Sequence, residues 1–129
     1  MRQFAKGLPL VVVVLVVALT ACSGPTFNAS GSYSGTGSSG GTPFSLTATI
    51  TATSTANQWD LSITSPSETD TGTCTHAPNG SAGNLTCTFT YTTGGPGTVV
   101  FAGTLTNNTW SGSYTDSNGP GGTFTLTRS

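Results

Sequence analysis

Charge is what this chain lacks most. It carries three basic and four acidic side chains in 129 residues. Two of the bases, Arg2 and Lys6, lie at the extreme N-terminus, and Arg128 is the only other one. A domain with one strong base cannot neutralise a row of phosphates, so nucleic acid is excluded as a partner. Histidine is also scarce, with His76 alone. A Ser-His-Asp arrangement would need His76 together with a chosen Asp, and no Gly-x-Ser-x-Gly elbow precedes a helix. No apolar run reaches the roughly 20 residues that a spanning helix needs. Beyond the N-terminal segment no stretch shows the 3.6-residue apolar stripe of a helix.

The N-terminal segment has the parts of an export signal. Arg2 and Lys6 form a positive start, Leu10 to Leu19 an apolar core, and small residues follow. The segment ends in Leu19-Thr20-Ala21-Cys22: an aliphatic residue, two small residues, then cysteine. This resembles the lipobox of bacterial lipoproteins. The resemblance implies cleavage between Ala21 and Cys22, diacylglycerol on the Cys22 sulfur, and often acylation, typically with palmitate, of the new amino group. Residues 1–21 are then a signal peptide and residues 22–30 a flexible, lipid-proximal tether, with 31–129 forming the folded domain. Each buried methylene contributes about 0.8 kcal/mol, and two or more chains give stable anchoring. The expected partner is therefore a membrane, held through the N-terminal lipid. Ser23 stands where lipoproteins kept at an inner membrane usually carry Asp. The expected address is exported and lipid-anchored to the cell envelope, at the outer membrane if the cell has one and otherwise at the cell surface.

From Cys22 onward one base faces four acids, Asp60, Glu68, Asp70 and Asp116, a formal −3. Low charge with abundant Ser and Gly can mean disorder, but the apolar residues are regularly spaced. Phe44, Leu46, Ala48, Ile50 and Ala52 alternate with Ser45, Thr47, Thr49, Thr51 and Thr53. The same period of two gives Trp59, Leu61, Ile63, then Leu85, Cys87, Phe89, Tyr91. It returns at Val99, Phe101, Leu105, at Trp110, Tyr114, and at Phe124, Leu126. Such alternation marks strands with one dry and one wet face, and β-branched Thr suits the wet face. Gly, Pro and Asn clusters punctuate the runs, and Asn107-Asn108 predicts a tight hairpin.

The count is about eight short strands, near 31–36, 43–54, 57–64, 71–76, 84–92, 98–106, 109–115 and 122–128. Short connections predict a single antiparallel meander in an all-β domain. An even strand number with one dry face predicts a small closed or nearly closed β-barrel, with a β-sandwich as the alternative. Gly31-Ser32-Tyr33 and Gly112-Ser113-Tyr114 each precede a glycine-rich turn and a Thr-Phe-containing strand. This echo suggests matched hairpins at the two ends, side by side. The pattern of Gly-x-aromatic strands is similar to avidin and lipocalin-like barrels over most of residues 31–128. That resemblance implies a barrel but places no ligand-binding residue. With Tyr33, Trp59, Tyr91, Trp110 and Tyr114 pointing inward beside several Phe, the simpler expectation is a filled interior. The same five aromatics are the candidate ligand contacts if a cavity exists.

Setting Cys22 aside leaves Cys74 and Cys87, and an exported compartment permits their disulfide. The competing reading is zinc on Cys74, His76 and Cys87, with Glu68 or Asp70 as a base for a small hydrolase. The spacing matches no familiar zinc motif, so neither metal nor cofactor is expected. Glu68 and Asp70 are expected in a solvated loop after Pro66.

Three function classes remain. The first is a non-enzymatic binding or interaction module for a small apolar ligand, a glycan or an envelope protein. The second is a purely structural envelope lipoprotein. The third is surface binding through Thr rows such as Thr47, Thr49, Thr51 and Thr53, which a twisted sheet disfavours. Trp59 and Trp110 both buried with no cavity would point to the structural class.

Overall fold

The computed structural model describes residues 27–92 and 94–129. The signal segment, Cys22 and the start of the tether lie outside the described residues. Eight strands follow one another: β1 (Gly31–Ser39), β2 (Thr42–Ala52), β3 (Gln58–Thr64), β4 (Thr69–Thr75), β5 (Asn84–Tyr91), β6 (Gly97–Thr106), β7 (Thr109–Asp116) and β8 (Gly119–Arg128). Each pairs antiparallel with the next, and β8 pairs with β1 to close a barrel. The barrel is the predicted architecture, and the sandwich alternative falls away. Closure leaves no strand edge without a partner.

The alternation sorts the faces. Leu46, Ala48 and Ile50 are buried while Thr47, Thr49 and Thr51 are exposed. The core is one continuous cluster drawn from all eight strands, centred on Trp110, Phe124 and Phe101. Phe124 lies 4.7 Å from Trp110 edge-on and 4.8 Å from Phe101. Room for these rings comes from Gly103 and Gly112, which face each other across β6 and β7. A Cβ on Gly112 would stand 2.1 Å from the Ala102 carbonyl oxygen. One on Gly103 would stand 2.2 Å from that of Ser111. Only glycine lets the two backbones approach this closely.

Several boundaries differ from the expected ones, for physical reasons. Gly37 and Ser38 were expected in a turn, yet β1 runs to Ser39 because it is paired on both sides, with β2 and β8. The β1–β2 turn is only Gly40-Gly41, both at positive φ. Gly119 to Gly121 likewise belong to β8, where the register slips against Tyr114 and Asp116 as a bulge. Pro120 is tolerated there because a bulge needs no ladder N–H. Asn107 and Asn108 have φ of 50° and 69° and join β6 to β7 as the tight hairpin foreseen.

The echoed hairpins do lie side by side, but they are not equivalent. Tyr33 is paired with Ala48, far from its turn, whereas Tyr114 is paired with Gly122, close to its own. The two tyrosines therefore sit at opposite ends of the barrel.

The ends differ. The turns after β1, β3, β5 and β7 crowd one end, and the chain enters and leaves at the other. At this second end the segment Phe27 to Ser30 packs onto the barrel, although it was expected in the flexible tether. Ala29 is fully buried. Phe27 stacks on His76 at 4.1 Å and meets Trp59 edge-on at 5.7 Å. The Tyr33 hydroxyl donates to the Ala29 carbonyl at 2.6 Å. The apolar Phe27 and Ala29 cover core that would otherwise face water, which outweighs the entropy of ordering four residues.

Candidate functional site

The interior is not uniformly filled. The half nearest the chain ends is packed, and the opposite half opens into a cavity of about 560 Å³. A small-molecule site occupies roughly 300–1,000 Å³. The filled-interior expectation therefore holds for one half only. Tyr33, Trp59 and Trp110 gather low in the barrel, and the loops that border the opening contribute the small side chains of Ser65, Pro66, Ser67 and Pro120.

The cavity has an aromatic floor and wall. Phe89 and Phe101 form the floor, tilted at 5.8 Å from each other. Tyr114 stacks on Phe101 at 5.0 Å and meets Phe44 edge-on at 6.4 Å. The Tyr114 hydroxyl donates to the Ser38 carbonyl at 2.9 Å, which fixes the ring against the wall. Leu46, Ile63 and Val99 complete the apolar lining.

The rim is acidic. Glu68, Asp70 and Asp116 all line the cavity. Tyr91 spans the rim on the β5 side, and its hydroxyl donates to Asp116 Oδ1 at 2.8 Å. The Asn118 N–H donates to the same oxygen at 3.0 Å. Tyr91 can lie this way because Gly97 has no side chain; a Cβ there would stand 2.4 Å from the Tyr91 ring. The Asp116 hydrogen bond and charge push the Tyr91 hydroxyl above its usual pKa. Asp70 is half-buried at the top of β4 and is pushed up to about 6, chiefly by burial and then by the Glu68 hydrogen bond and charge. Glu68 lies in the loop before β4, as expected, whereas Asp70 belongs to β4; both line the cavity.

The five candidate aromatics divide by height. Tyr91 and Tyr114 line the cavity. Trp110, Trp59 and Tyr33 belong to the packed half, exposed by 0%, 5% and 2%. The Trp110 N–H donates to the Leu85 carbonyl at 3.3 Å. Burial pushes the Tyr33 hydroxyl up, partly opposed by Arg128. Neither tryptophan is available as an exposed sugar-stacking platform. Phe44, Phe89 and Phe101 were not singled out from sequence, and Glu68 and Asp70 were weighed only as a hydrolase base or as loop residues, not as a rim shared with Asp116. The alternation marked the phenylalanines as inward, but nothing in it reports height along the barrel. For the acids, the pairing of β4 with β5 and of β7 with β8 brings distant chain segments to one rim.

Cys74 and Cys87 form the disulfide expected of them. They are register partners on β4 and β5, both fully buried and far below the rim. The bridge consumes two of the three ligands the zinc reading needed. His76 follows β4, its Nδ1 donating to the Asn84 carbonyl at 2.6 Å. Among the described residues no cluster of His, Cys, Asp and Glu could hold a metal ion.

Compared with known proteins, the chain matches no family model and no curated sequence.

Proposed function

We propose that this protein is an exported, lipid-anchored binding module that takes a small ligand with an apolar body into the mouth of its barrel. The observation that carries the reading is the 560 Å³ aromatic-floored cavity at the end opposite Phe27. A purely structural lipoprotein has no use for an open mouth lined by apolar and aromatic side chains. An anchor on Cys22 would join the barrel at its packed end, so the mouth would point away from the bilayer toward diffusing ligands. Glycans fit less well, because both tryptophans are buried.

Two measurements test the reading. The first uses the protein carrying Cys22→Ser, so that no acyl chain competes, titrated with the neutral apolar fluorophore N-phenyl-1-naphthylamine. Its emission should rise and saturate at one probe per chain, and the rim plug Ser39→Trp should abolish the signal. No enhancement, or enhancement indifferent to the plug, would overturn the binding role. The second follows radiolabelled palmitate in the cells that make the protein. Label should appear on the native chain and vanish with Cys22→Ser; label on neither would remove the anchor.

A further inference from the structure

Apart from Asp60, exposed on the outer face of β3, the charged side chains of the described residues are segregated along the barrel. Arg128, the only strong base among them, lies at the packed end, bonded to the Asn28 and Ser30 carbonyls. His76 lies at that end as well, under Phe27. Glu68, Asp70 and Asp116 stand at the mouth. Among the described residues no basic group on any strand or loop around the mouth offsets them. The field over the opening is therefore negative, and low-dielectric walls concentrate it.

The cavity beneath has the complementary character. Phe44, Phe101 and Tyr114 line the cavity, and aromatic rings attract cations as well as apolar groups. Asp116 is fixed by the Tyr91 hydroxyl and the Asn118 N–H, so little ordering is needed when a positive group arrives. A fatty-acid carboxylate or a phosphate ester would meet the acidic rim with its own charge of the same sign. A bare metal ion would find no ready-made cluster of ligands.

We propose that the ligand is an amphiphilic organic cation, an amine or quaternary ammonium whose charged head sits among Glu68, Asp70 and Asp116 while its apolar body fills the aromatic cavity. This rests on the binding reading given above and adds the ligand's charge. The head gains from the carboxylates and the tail from burial, and neither part alone satisfies both halves of the site.

The rim also makes the site sensitive to pH. Asp70 titrates at about 6, raised by burial and by Glu68. The groups that face it are acidic or neutral: Glu68 on its own segment, with Asp116 and Tyr91 across the opening. With a value near 6, about a tenth of the Asp70 carboxyl is ionised at pH 5 and about nine tenths at pH 7. A permanently charged ligand should therefore bind more tightly at pH 7 than at pH 5.

The test compares three ligands of equal length by calorimetry on the Cys22→Ser protein: a phenylalkyl-trimethylammonium, the phenylalkyl alcohol and the phenylalkyl carboxylate. At pH 7 and low salt the ammonium should bind about tenfold more tightly than the alcohol, and the carboxylate most weakly. The advantage of the ammonium should shrink severalfold at pH 5. It should shrink likewise at pH 7 in Asp70→Asn and in Glu68→Gln, with alcohol binding changing far less than ammonium binding. Far-UV circular dichroism of each variant checks folding, and retained alcohol binding shows that the cavity is intact. Alcohol binding as tight as ammonium would overturn the charge assignment and leave the binding role standing. Failure of all three ligands would overturn both.

Discussion

The Arg128 guanidinium lies 5.7 Å from the centre of the Tyr33 ring, and the same side chain ties Asn28, Ser30 and Asn108 together. One residue thus joins β8, β1, the β6–β7 hairpin and the incoming segment. The packed end is held shut by a single cation whose fork of N–H donors reaches three carbonyl oxygens in different parts of the chain.

Replacing Arg128 by Ala should remove about 1–2 kcal/mol of stability, the usual value for bonds to a charged donor that is not fully buried. Hydrogen exchange should quicken at Ser30 and Arg128 before it quickens elsewhere. Arg128→Lys should recover only part of the loss, because an ammonium cannot span the three acceptors. Unaltered exchange at this end in Arg128→Ala would show that Phe27 and Ala29 suffice to seal it.

Reduction of the Cys74–Cys87 bridge should be costly. The two residues are 13 apart in sequence, and a loop of that size contributes about 3 kcal/mol in the chain-entropy picture. A Cys74→Ala/Cys87→Ala double variant should melt more than about 10 °C lower than the parent. The parent treated with reductant should approach the variant in a thermal scan. A melt that ignores reductant would contradict the bridge's stabilising role.

Trp110 is fully buried and touches Tyr33, Phe101 and Phe124. Trp110→Ala should cost about 3–5 kcal/mol by urea unfolding. Trp110→Phe should cost less and spare the packing, but it leaves the Leu85 carbonyl without its donor. Equal losses in the two variants would mean that the hydrogen bond, and not ring volume, dominates.

The pH dependence of stability follows from Asp70. Its carboxyl holds its proton more tightly in the folded protein, at about 6, than the ordinary 3.8. The folded state therefore binds more protons than the unfolded state between these values. Stability from this group is full below about pH 4, falls as pH rises, and levels off above about pH 6. Melting temperature should drop across that window, and Asp70→Asn should flatten the slope. A slope unchanged in the variant would assign the effect elsewhere. The cation ligand proposed above should restore stability most above pH 6, where Asp70 is ionised.

Much of the architecture was legible because period-two patterning is a local property. Leu46, Ala48 and Ile50 declare their face through their neighbours alone, and Asn107-Asn108 declares a turn through its own backbone preferences. Closure was legible from strand number and short connections. What escaped depends on register. Gly37 and Gly119 look like turn residues until partner strands on both sides hold them extended. The height of Phe44 against Trp110 is fixed by barrel stagger, which no single strand encodes. Glu68 and Asp116 lie far apart in the chain and meet only because β4 and β7 end at the same rim. The Tyr33 and Tyr114 words match in letters, yet their distances from the turn differ, so identical words land at opposite ends.

The pairing of Gly35 with Leu126, midway along the β1–β8 seam, has a last consequence. Strands this rich in threonine, with aromatic and aliphatic residues between, and this poor in charge, are the kind that stack into fibrils when an unpaired row of N–H and C=O groups is on offer. A cylinder sealed along its length withholds that template, so copies crowded together can jostle sideways without recruiting one another, and solubility no longer depends on mutual electrostatic repulsion.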